Sequence, residues 1–168
     1  MKILLFGRNG QVGWELQRSL APLGTVTALD STGEAGLAGD FGDPDAVART
    51  VRELRPDAVV NAAAYTAVDV AEREPELAMR INGEAPGVIA EEARRLGAAM
   101  IHYSTDYVFD GNKAGAYTED DVTMPLNVYG RTKLAGEQAV QASGVPHLIL
   151  RTSWVYGARG RNFLLTVR

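Results

Sequence analysis

Short apolar stretches alternate with longer amphipathic stretches along the whole chain. The apolar stretches are rich in branched residues, end at glycine or polar residues, and lack the polar alternation of a strand with one exposed face. In chain order they read KILLFG, TVTALD, DAVVNAAA, AAMIHYS and HLILRTSW. Helical patterns separate them at residues 11–21, 44–54, about 75–96 and 128–142, several with proline near the start and glycine beyond the end. This order predicts an α/β fold, a doubly wound parallel sheet with helices on both faces.

Two segments depart from this regular alternation. Gly83, Pro86 and Gly87 fall inside the third helical stretch, where we expect them to kink the helix or split it in two. Residues 110–126 lack periodicity and are rich in glycine and acidic residues. This composition indicates an ordered loop near a pocket or a mobile flap.

The composition is typical of one globular domain without a basic partner surface. The chain has 168 residues, 46% of them hydrophobic, and a formal net charge of -4. The mildly acidic balance argues against nucleic acid and anionic lipid as partners. Because cysteine is absent and the two histidines are far apart, we expect no disulfide and no metal site. The first apolar stretch is too short for the hydrophobic region of a signal peptide, and no apolar run is long enough to span a membrane. We therefore expect a cytoplasmic protein without membrane attachment.

A glycine-rich turn near the start of the chain is the first candidate for chemistry. Gly7, Gly10 and Gly13 follow the first apolar stretch with the spacing G-x-x-G-x-x-G, and a helical pattern begins at once. Glycine there permits a tight bend and lets backbone N–H groups approach a pyrophosphate at the positive end of a helix. An ordinary glycine turn is the alternative, but the strand-to-helix context favours a dinucleotide site in a Rossmann-like domain. The loop residues predicted to bind this cofactor are Gly7, Arg8, Asn9, Gly10, Gln11, Val12 and Gly13.

The residues around the second apolar stretch leave the choice between NADH and NADPH open. Asp30 ends that stretch, where an acidic residue bonds the adenosine ribose hydroxyls and favours NADH, although a simple turn aspartate is the alternative. Arg8 favours NADPH, because a guanidinium can hold the additional phosphate. Further along, Asp40 could accept from the adenine amino group while Phe41 packs nearby.

Tyr129 and Lys133 place a weak acid and a cation on one helix face. They are four residues apart at the start of the last long helical pattern. A pKa near 10 makes tyrosine a poor proton donor at neutral pH. Two unit charges about 4 Å apart interact by roughly 4 kcal/mol at an effective dielectric of about 20. We therefore expect Lys133 to lower the pKa of Tyr129 and make it a usable acid; an ordinary surface pair is the alternative.

Polar side chains at the ends of neighbouring strands are expected to meet at one edge of the sheet. Ser104 and Thr105 end the fourth strand, and in open parallel sheets ligands bind beyond the carboxyl ends of the strands. A hydroxyl there can hydrogen-bond the carbonyl oxygen of a substrate. The third strand ends in NAAAYTAVD, whose Ala62 and Ala63 are small enough to let a cofactor pass. The residues of this segment expected to meet a substrate are Thr66, Val68 and Asp69.

Taken together, the motifs resemble a known family. They are FGRNGQVGWEL, NAAAYTAVD, YSTDYVFDG, PLNVYGRTKLAGE and RTSWVYG. This set resembles the extended short-chain dehydrogenase/reductases, and within them the dTDP-4-dehydrorhamnose reductases, over essentially the whole chain. The resemblance implies reduction of the C4 ketone of dTDP-4-dehydro-L-rhamnose to dTDP-L-rhamnose with NADPH or NADH, in nucleotide-sugar and cell-surface polysaccharide biosynthesis. We also allow for a homodimer.

The resemblance further implies roles for individual residues. Thr105 would orient the carbonyl, Tyr129 would protonate its oxygen, and Lys133 would tune the tyrosine and hold the nicotinamide ribose. Tyr129 and Lys133 thereby join the cofactor site, whose members from the third strand end are Ala62, Ala63, Ala64 and Tyr65. The sugar pocket would include Asp106, Tyr107 and Trp154. An asparagine matching Asn82 anchors the site through a water in related reductases.

The remaining aromatic and histidine residues carry weaker signals. Trp154 and Tyr156 follow the last strand, where their rings could cover a hexose face, although core packing is the more common fate of tryptophan. His102 and His147 lie within or at the start of apolar stretches, so we expect both to be structural.

Alternative functions and a further lobe also follow from the resemblance. Dehydratases of the superfamily resemble one another in a Thr-Asp-Glu run, whereas this chain has Thr105, Asp106 and Tyr107. Elimination then lacks its base, which favours simple carbonyl reduction; another nucleotide-sugar epimerase or dehydratase stays an alternative. Similar regulatory subunits bind a nucleotide without turnover, so a non-catalytic role is the other alternative. Residues 1–168 would form the cofactor-binding domain and a substrate lobe would follow; a chain ending at residue 168 is expected to bind cofactor but turn over poorly.

Overall fold

A single parallel sheet of five strands organises the chain. The computed structural model describes residues 1–160 and 162–167. The strands are β1 (Lys2–Phe6), β2 (Thr25–Leu29), β3 (Ala58–Asn61), β4 (Ala99–Thr105) and β5 (His147–Thr152). Their order across the sheet is β2-β1-β3-β4-β5, and every pair is parallel. All five predicted strands are therefore confirmed.

Helices cover both faces of this sheet, which confirms the predicted doubly wound, Rossmann-like fold. They are α1 (Gln11–Leu20), α2 (Pro44–Leu54), α3 (Val68–Ala71), α4 (Pro75–Met79), α5 (Ala85–Leu96), α6 (Val128–Ser143) and α7 (Phe163–Thr166). On one face, α2 packs against α5 and α5 packs against α6. On the other face, α1 packs on β1 and β2. Within the described part of the chain, no helix has the length and apolar character needed to cross a membrane.

Two apolar clusters follow from the alternation of side chains along the central strands. Leu4 and Phe6 of β1 point into the larger cluster, together with residues of α2 and α5. Ile3 and Leu5 point to the opposite face, where Leu16 of α1 packs against them. Because neighbouring positions of β1 are buried on both faces, the strand reads as a continuous apolar run.

The third helical stretch is interrupted, as Gly83 and its neighbours predicted. Between α4 and α5 the segment Arg80–Glu84 forms a π-helical turn. A Cβ atom on Gly83 would come within 2.6 Å of the Met79 Sδ atom, so only glycine fits there without a shift. A π-turn inside a helix is frequent at functional sites, and this one carries Asn82.

The irregular segment between β4 and α6 is an ordered loop. It begins with a 3-10 turn at Asp106–Val108. The rings of Phe109 and Tyr117 stack with their centroids 4.2 Å apart, and the Tyr117 hydroxyl donates to Asp110. Lys113 forms an ion pair with Asp121. Of the two predicted states, these internal contacts favour the ordered loop over a mobile flap.

Candidate active site

The carboxyl ends of β1, β3 and β4 lie side by side at one edge of the sheet, because these strands are adjacent and parallel. The glycine turn follows β1, the NAAAYTAVD segment follows β3, and Thr105 ends β4. The start of α6 reaches the same edge through the 3-10 turn after β4, which it contacts. The predicted convergence of these strand ends is thus present in the fold.

The glycine turn has a backbone that side chains would obstruct. Gly7 has a positive φ of 87°, which non-glycine residues rarely adopt. A Cβ atom on Gly13 would lie 2.0 Å from the Gly7 carbonyl oxygen, so α1 passes directly over the turn. The helix starts after Gly10 without any side-chain cap. Its first N–H groups are therefore not satisfied by a capping side chain, which suits an anionic ligand.

A cavity of about 300 Å³ lies beside this turn. Its lining comprises Gly7, Asn9, Gly10, Asp30, Ser31, Gly39, Asp40, Phe41, Ala62, Ala63, Ala64, Thr66 and Ile81. Nine of these were predicted to hold a cofactor, while Thr66 was predicted to meet the substrate. Sequence reasoning missed Ser31, Gly39 and Ile81. Ser31 and Gly39 adjoin predicted residues in the sequence, and this was the signal that could have identified them, whereas no sequence signal pointed to Ile81. The fit of a dinucleotide rests on this small-residue lining and on the uncapped helix.

Arg8 and Asp30 are joined in one charged cluster, although the sequence suggested that they favour different cofactors. The Arg8 Nε atom donates to an Asp30 carboxylate oxygen at 3.0 Å, and Arg8 also pairs with Glu34. Asn9 donates to Asp30 as well. Hydrogen bonds from Thr32, followed by those from Arg8, lower the pKa of Asp30 to about 2. The guanidinium is thus already neutralised by two carboxylates.

The other predicted cofactor residues lie in varied surroundings. Phe41 is buried and packs edge-to-face on Phe6, with ring centroids 5.2 Å apart. The Tyr65 hydroxyl donates to Glu74, which raises the pKa of Tyr65. Gln11 accepts from Asn162 at 2.8 Å and does not line the cavity beside the turn. The remaining two residues, Val12 and Gly13, occupy the first turn of α1.

Tyr129 stands at the start of α6 beside the end of β4. Asn127 caps this helix by accepting from the backbone N–H of Gly130, which places Tyr129 in the first turn. The Tyr129 ring meets the Tyr107 ring edge-to-face with centroids 5.6 Å apart. Burial raises the pKa of Tyr129, and a hydrogen bond with Thr105 only partly opposes this increase. The fold therefore brings Thr105 and Tyr129 together.

The expectation that Lys133 lowers the pKa of Tyr129 is wrong for this structure. The pKa of Tyr129 is raised, because burial disfavours the phenolate. Lys133 is itself buried, and its Nζ atom donates to the Tyr103 carbonyl oxygen at 2.7 Å. Burial lowers the pKa of Lys133 to about 8, against an opposing effect of Glu137. The spacing of four residues places Tyr129 and Lys133 on one face of α6, but it carries no information about how deeply the two side chains are buried.

Ser104 lies near the end of β4, as predicted, but its side chain is turned to the interior. Its buried hydroxyl donates to the carboxylate of Glu137 on α6. Glu137 also accepts from Arg151 of β5, with the closest contact at 2.7 Å. This placement argues against the predicted contact of Ser104 with substrate, because the hydroxyl faces the interior. Sequence reasoning missed Glu137 and Arg151; the spacing of four residues between Lys133 and Glu137 was the available signal.

Asn82 joins the end of β3 to α6. Its Oδ1 atom accepts from the Tyr65 backbone N–H at 2.8 Å, and its Nδ2 atom donates to the Thr132 hydroxyl at 3.2 Å. A Cβ atom on Gly136 would lie 2.1 Å from the Asn82 carbonyl oxygen, so α6 and the π-turn are in close contact. Asn82 thus supports the site through direct contacts, while a bridging water stays a prediction.

The surroundings of the two histidines differ: those of His102 are structural, as predicted, whereas His147 is exposed at the start of β5 and its structural role stays a prediction. His102 is fully buried on β4, where its Nδ1 atom lies 3.0 Å from the Asn61 Nδ2 atom. Burial and the charge of Lys133 keep the pKa of His102 well below its usual range, so its imidazole stays neutral. His147 contacts the Val145 carbonyl oxygen at 2.8 Å.

The residues predicted to meet the sugar lie at the exposed side of this region. Asp106 and Tyr107 are exposed in the 3-10 turn after β4. Trp154 is 67% exposed, so it is not a core residue, and its φ of 43° is uncommon for a large side chain. Val68 and Asp69 belong to the short helix α3, which the sequence did not predict. The Trp154 ring packs edge-to-face on Phe163, with ring centroids 5.4 Å apart, so its contact with a sugar stays a prediction.

Comparison with known proteins identifies the family. The family model described as RmlD substrate binding domain matches residues 1–168. The dTDP-4-dehydrorhamnose reductase of Escherichia coli is 58% identical over 167 residues, which cover 99% of this chain and 56% of that protein. Among solved structures, the dTDP-4-dehydrorhamnose reductase of Clostridium acetobutylicum superposes with a TM-score of 0.89 at 40% identity, covering 99% of this chain and 57% of that one.

A second solved structure resembles the chain as strongly. The dTDP-4-dehydrorhamnose reductase of Bacillus anthracis, solved in complex with NADP, has a TM-score of 0.90 at 38% identity and covers 98% of this chain and 57% of that one. The chain spans slightly more than half the length of these relatives. The fold, the geometry of the strand ends and these matches agree with the resemblance seen in the motifs. The chain therefore belongs to the RmlD substrate binding domain family, the family of the dTDP-4-dehydrorhamnose reductases.

Proposed function

We propose that this chain is the cofactor-binding and proton-donating part of an NADPH-dependent reductase. It would reduce the C4 ketone of dTDP-4-dehydro-L-rhamnose to dTDP-L-rhamnose, in the biosynthesis of nucleotide sugars for cell-surface polysaccharide. The observation that carries the proposal is the meeting of Thr105 and Tyr129 at the sheet edge that also holds the glycine turn. The comparisons support it, because relatives more than half identical to the chain are named dTDP-4-dehydrorhamnose reductase.

NADPH is the proposed cofactor, and NADH is a second candidate. The glycine turn and the uncapped start of α1 would hold the pyrophosphate, and the alanines at the end of β3 would lie against the nucleotide. When bound, the cofactor supplies a hydride to the carbonyl carbon. Asp30 is oriented by Thr32 and Asn9 and remains ionised, so it can accept hydrogen bonds from ribose hydroxyls.

Tyr129 would be the proton donor of the reaction. Its raised pKa keeps the hydroxyl protonated at neutral pH and makes it a weaker acid than free tyrosine. It can still donate its proton, because the developing alkoxide is a much stronger base than a phenolate. The Thr105 hydroxyl lies beside it and would orient the carbonyl oxygen by a hydrogen bond. Lys133 follows Tyr129 by one helical turn on the same face of α6 and would contribute a positive charge on the interior side of the site.

Turnover of NADPH with dTDP-4-dehydro-L-rhamnose tests this proposal. We expect Tyr129→Phe to remove at least about 99% of turnover, since general acid catalysis contributes at least about a hundredfold. Binding of NADPH should persist in the same variant. The control is Tyr117→Phe, because Tyr117 lies in the loop between β4 and α6 and stacks on Phe109. Full turnover in Tyr129→Phe would exclude Tyr129 as the proton donor.

The length of the protein matters for this assay, because the relatives are nearly twice as long as the chain. The assay therefore compares the 168-residue chain alone with a chimera in which the remaining part of the Escherichia coli relative follows residue 168. Cofactor binding by both with turnover by the longer one alone would support the predicted substrate lobe. Cofactor binding without turnover by either would favour the alternative of a non-catalytic nucleotide-binding subunit.

A further inference from the structure

A buried charge cluster lies behind the candidate active site, on the interior side of α6. Glu137 is 1% exposed, and its carboxylate accepts from Arg151 through two nitrogen atoms, Nε and Nη2. Ser104 donates to the same carboxylate from β4. These contacts fix Glu137 from two different strands. None of the three residues touches the cavity beside the glycine turn.

Lys133 is placed between this cluster and the candidate proton donor. Tyr129, Lys133 and Glu137 follow one another at intervals of four residues, so they lie along one face of α6. Lys133 is also 1% exposed, and its single described hydrogen bond goes to the Tyr103 carbonyl oxygen. An ammonium group in such an interior loses its hydration and tends to release its proton, unless a negative charge lies nearby.

The charged and titratable groups around Lys133 come from three elements. On α6 they are Glu137 and Tyr129, on β4 the neutral His102 lies close, and on β5 Arg151 pairs with Glu137. Glu137 thus carries the one negative charge among these groups, since burial keeps the pKa of Tyr129 raised. It forms an ion pair with Arg151, and its contact with Ser104 places it next to the Lys133 side chain, which contacts the neighbouring residue Tyr103 of β4.

We propose that Glu137 is a positioning residue, whose buried carboxylate, held by Arg151 and Ser104, keeps the ammonium of Lys133 charged one helical turn away, where it donates to the Tyr103 carbonyl. The importance of this charge for turnover rests on the proposed function. The electrostatic relation between the two side chains is a property of the fold and can be tested without substrate.

The pKa of Lys133, measured by NMR, tests the proposal. The chain contains only three lysines, and Lys2 and Lys113 are exposed, so the signal of Lys133 is easily assigned from its ¹³Cε shift during a pH titration. In Glu137→Gln we expect the pKa of Lys133 to fall by about one unit or more, which means at least about tenfold less ammonium above that pKa. In Arg151→Gln we expect it to rise, because Glu137 then acts on Lys133 alone.

These opposite directions separate an electrostatic role from a merely structural one. Loosened packing would move the pKa of Lys133 the same way in both variants. The matched control is Glu92→Gln, since Glu92 is likewise buried and paired with arginines, Arg52 and Arg95, but lies on α5. It should destabilise the fold and leave the pKa of Lys133 unchanged.

Either variant can overturn the proposal. An unchanged pKa of Lys133 in a folded Glu137→Gln protein would do so, as would a lowered or unchanged pKa in Arg151→Gln. If Glu137→Gln does not fold, Arg151→Gln is compared with Arg151→Lys, which keeps a positive charge beside Glu137. The pKa of Lys133 should rise in Arg151→Gln alone, whereas loosened packing would admit water and raise it in both variants. If the pKa of Lys133 changes as expected but the protein does not reduce the sugar, the result counts against the proposed function and not against this role of Glu137.

Discussion

Two charged clusters at the same sheet differ in their exposure to water. At the end of β2, Arg8 pairs with Asp30 and Glu34, and the Glu34 side chain is 61% exposed. Behind α6, Arg151 pairs with Glu137, whose side chain is 1% exposed. Water can replace Glu34 in the first cluster at little cost, whereas a partner lost from the second leaves a desolvated charge. The first is suited to exchange partners with a ligand, and the second to hold groups in place.

Removal of one carboxylate from each cluster should give the largest contrast. We expect Glu137→Ala to lower the free energy of unfolding by about 3–5 kcal/mol, because Lys133 and Arg151 lose their counter-charge. Glu34→Ala should have a far smaller effect, since its ion pair is exposed. Urea unfolding of both variants measures the difference. Equal losses would show that exposure does not distinguish the two clusters.

Buried Lys133 should give stability a specific pH dependence. Its pKa is about 8 in the folded chain and 10.5 when unperturbed, so the unfolded chain binds more protons between these values. Stability from this residue is therefore fully present above about pH 10.5 and is lost as the pH falls through about 8. The change is on the order of 3 kcal/mol.

The variant Lys133→Met isolates this contribution. Between pH 8 and 10 the wild-type chain should gain stability relative to Lys133→Met, as measured by unfolding at a series of pH values. Tyr129 lowers stability as the pH rises, but only above about pH 10, because its pKa in the folded chain is raised above the ordinary value of 10. Parallel pH profiles for both proteins would contradict a buried Lys133 with a lowered pKa.

The glycine turn offers a test of the region that receives the ligand. In Gly13→Ala the new Cβ atom would lie 2.0 Å from the Gly7 carbonyl oxygen, so the turn must shift. We expect NADPH affinity to fall by about tenfold or more, because the loop geometry positions the pyrophosphate. Gly10→Ala is the control for stability, since its Cβ atom meets the same oxygen at 3.4 Å. Calorimetry gives both quantities, and similar melting temperatures for the two variants would contradict the predicted clash.

The smallest expected effect concerns the choice of cofactor. Glu34→Gln removes one of the two carboxylates on Arg8 and should strengthen binding of NADPH relative to NADH by about two- to fivefold, as for an exposed pair. Fluorescence titration with both cofactors measures the ratio. Glu15→Gln is the control, because Glu15 pairs with Arg18 on the exposed side of α1. An equal change in both variants would assign the effect to net charge.

The sequence by itself determined the strands, the long helices, the interrupted third helix and the glycine turn. Each depends on local features, namely the periodicity of apolar residues, the positions of proline and glycine, and the order of the elements. The spacing also placed Tyr129 and Lys133 on one helix face, because residues four apart share a face, whereas the grouping of Thr105 with them came from the resemblance to the family.

Only the tertiary structure decided which charged groups meet and how deeply they are buried. The pairing of Arg8 with Glu34, the inward direction of Ser104 and the cluster around Glu137 join segments that are 26, 33 and 14 residues apart. Burial raises the pKa of Tyr129, whereas the spacing had led us to expect that the Lys133 cation would lower it. Desolvation depends on every segment packed around a group, so no local pattern in the chain records it.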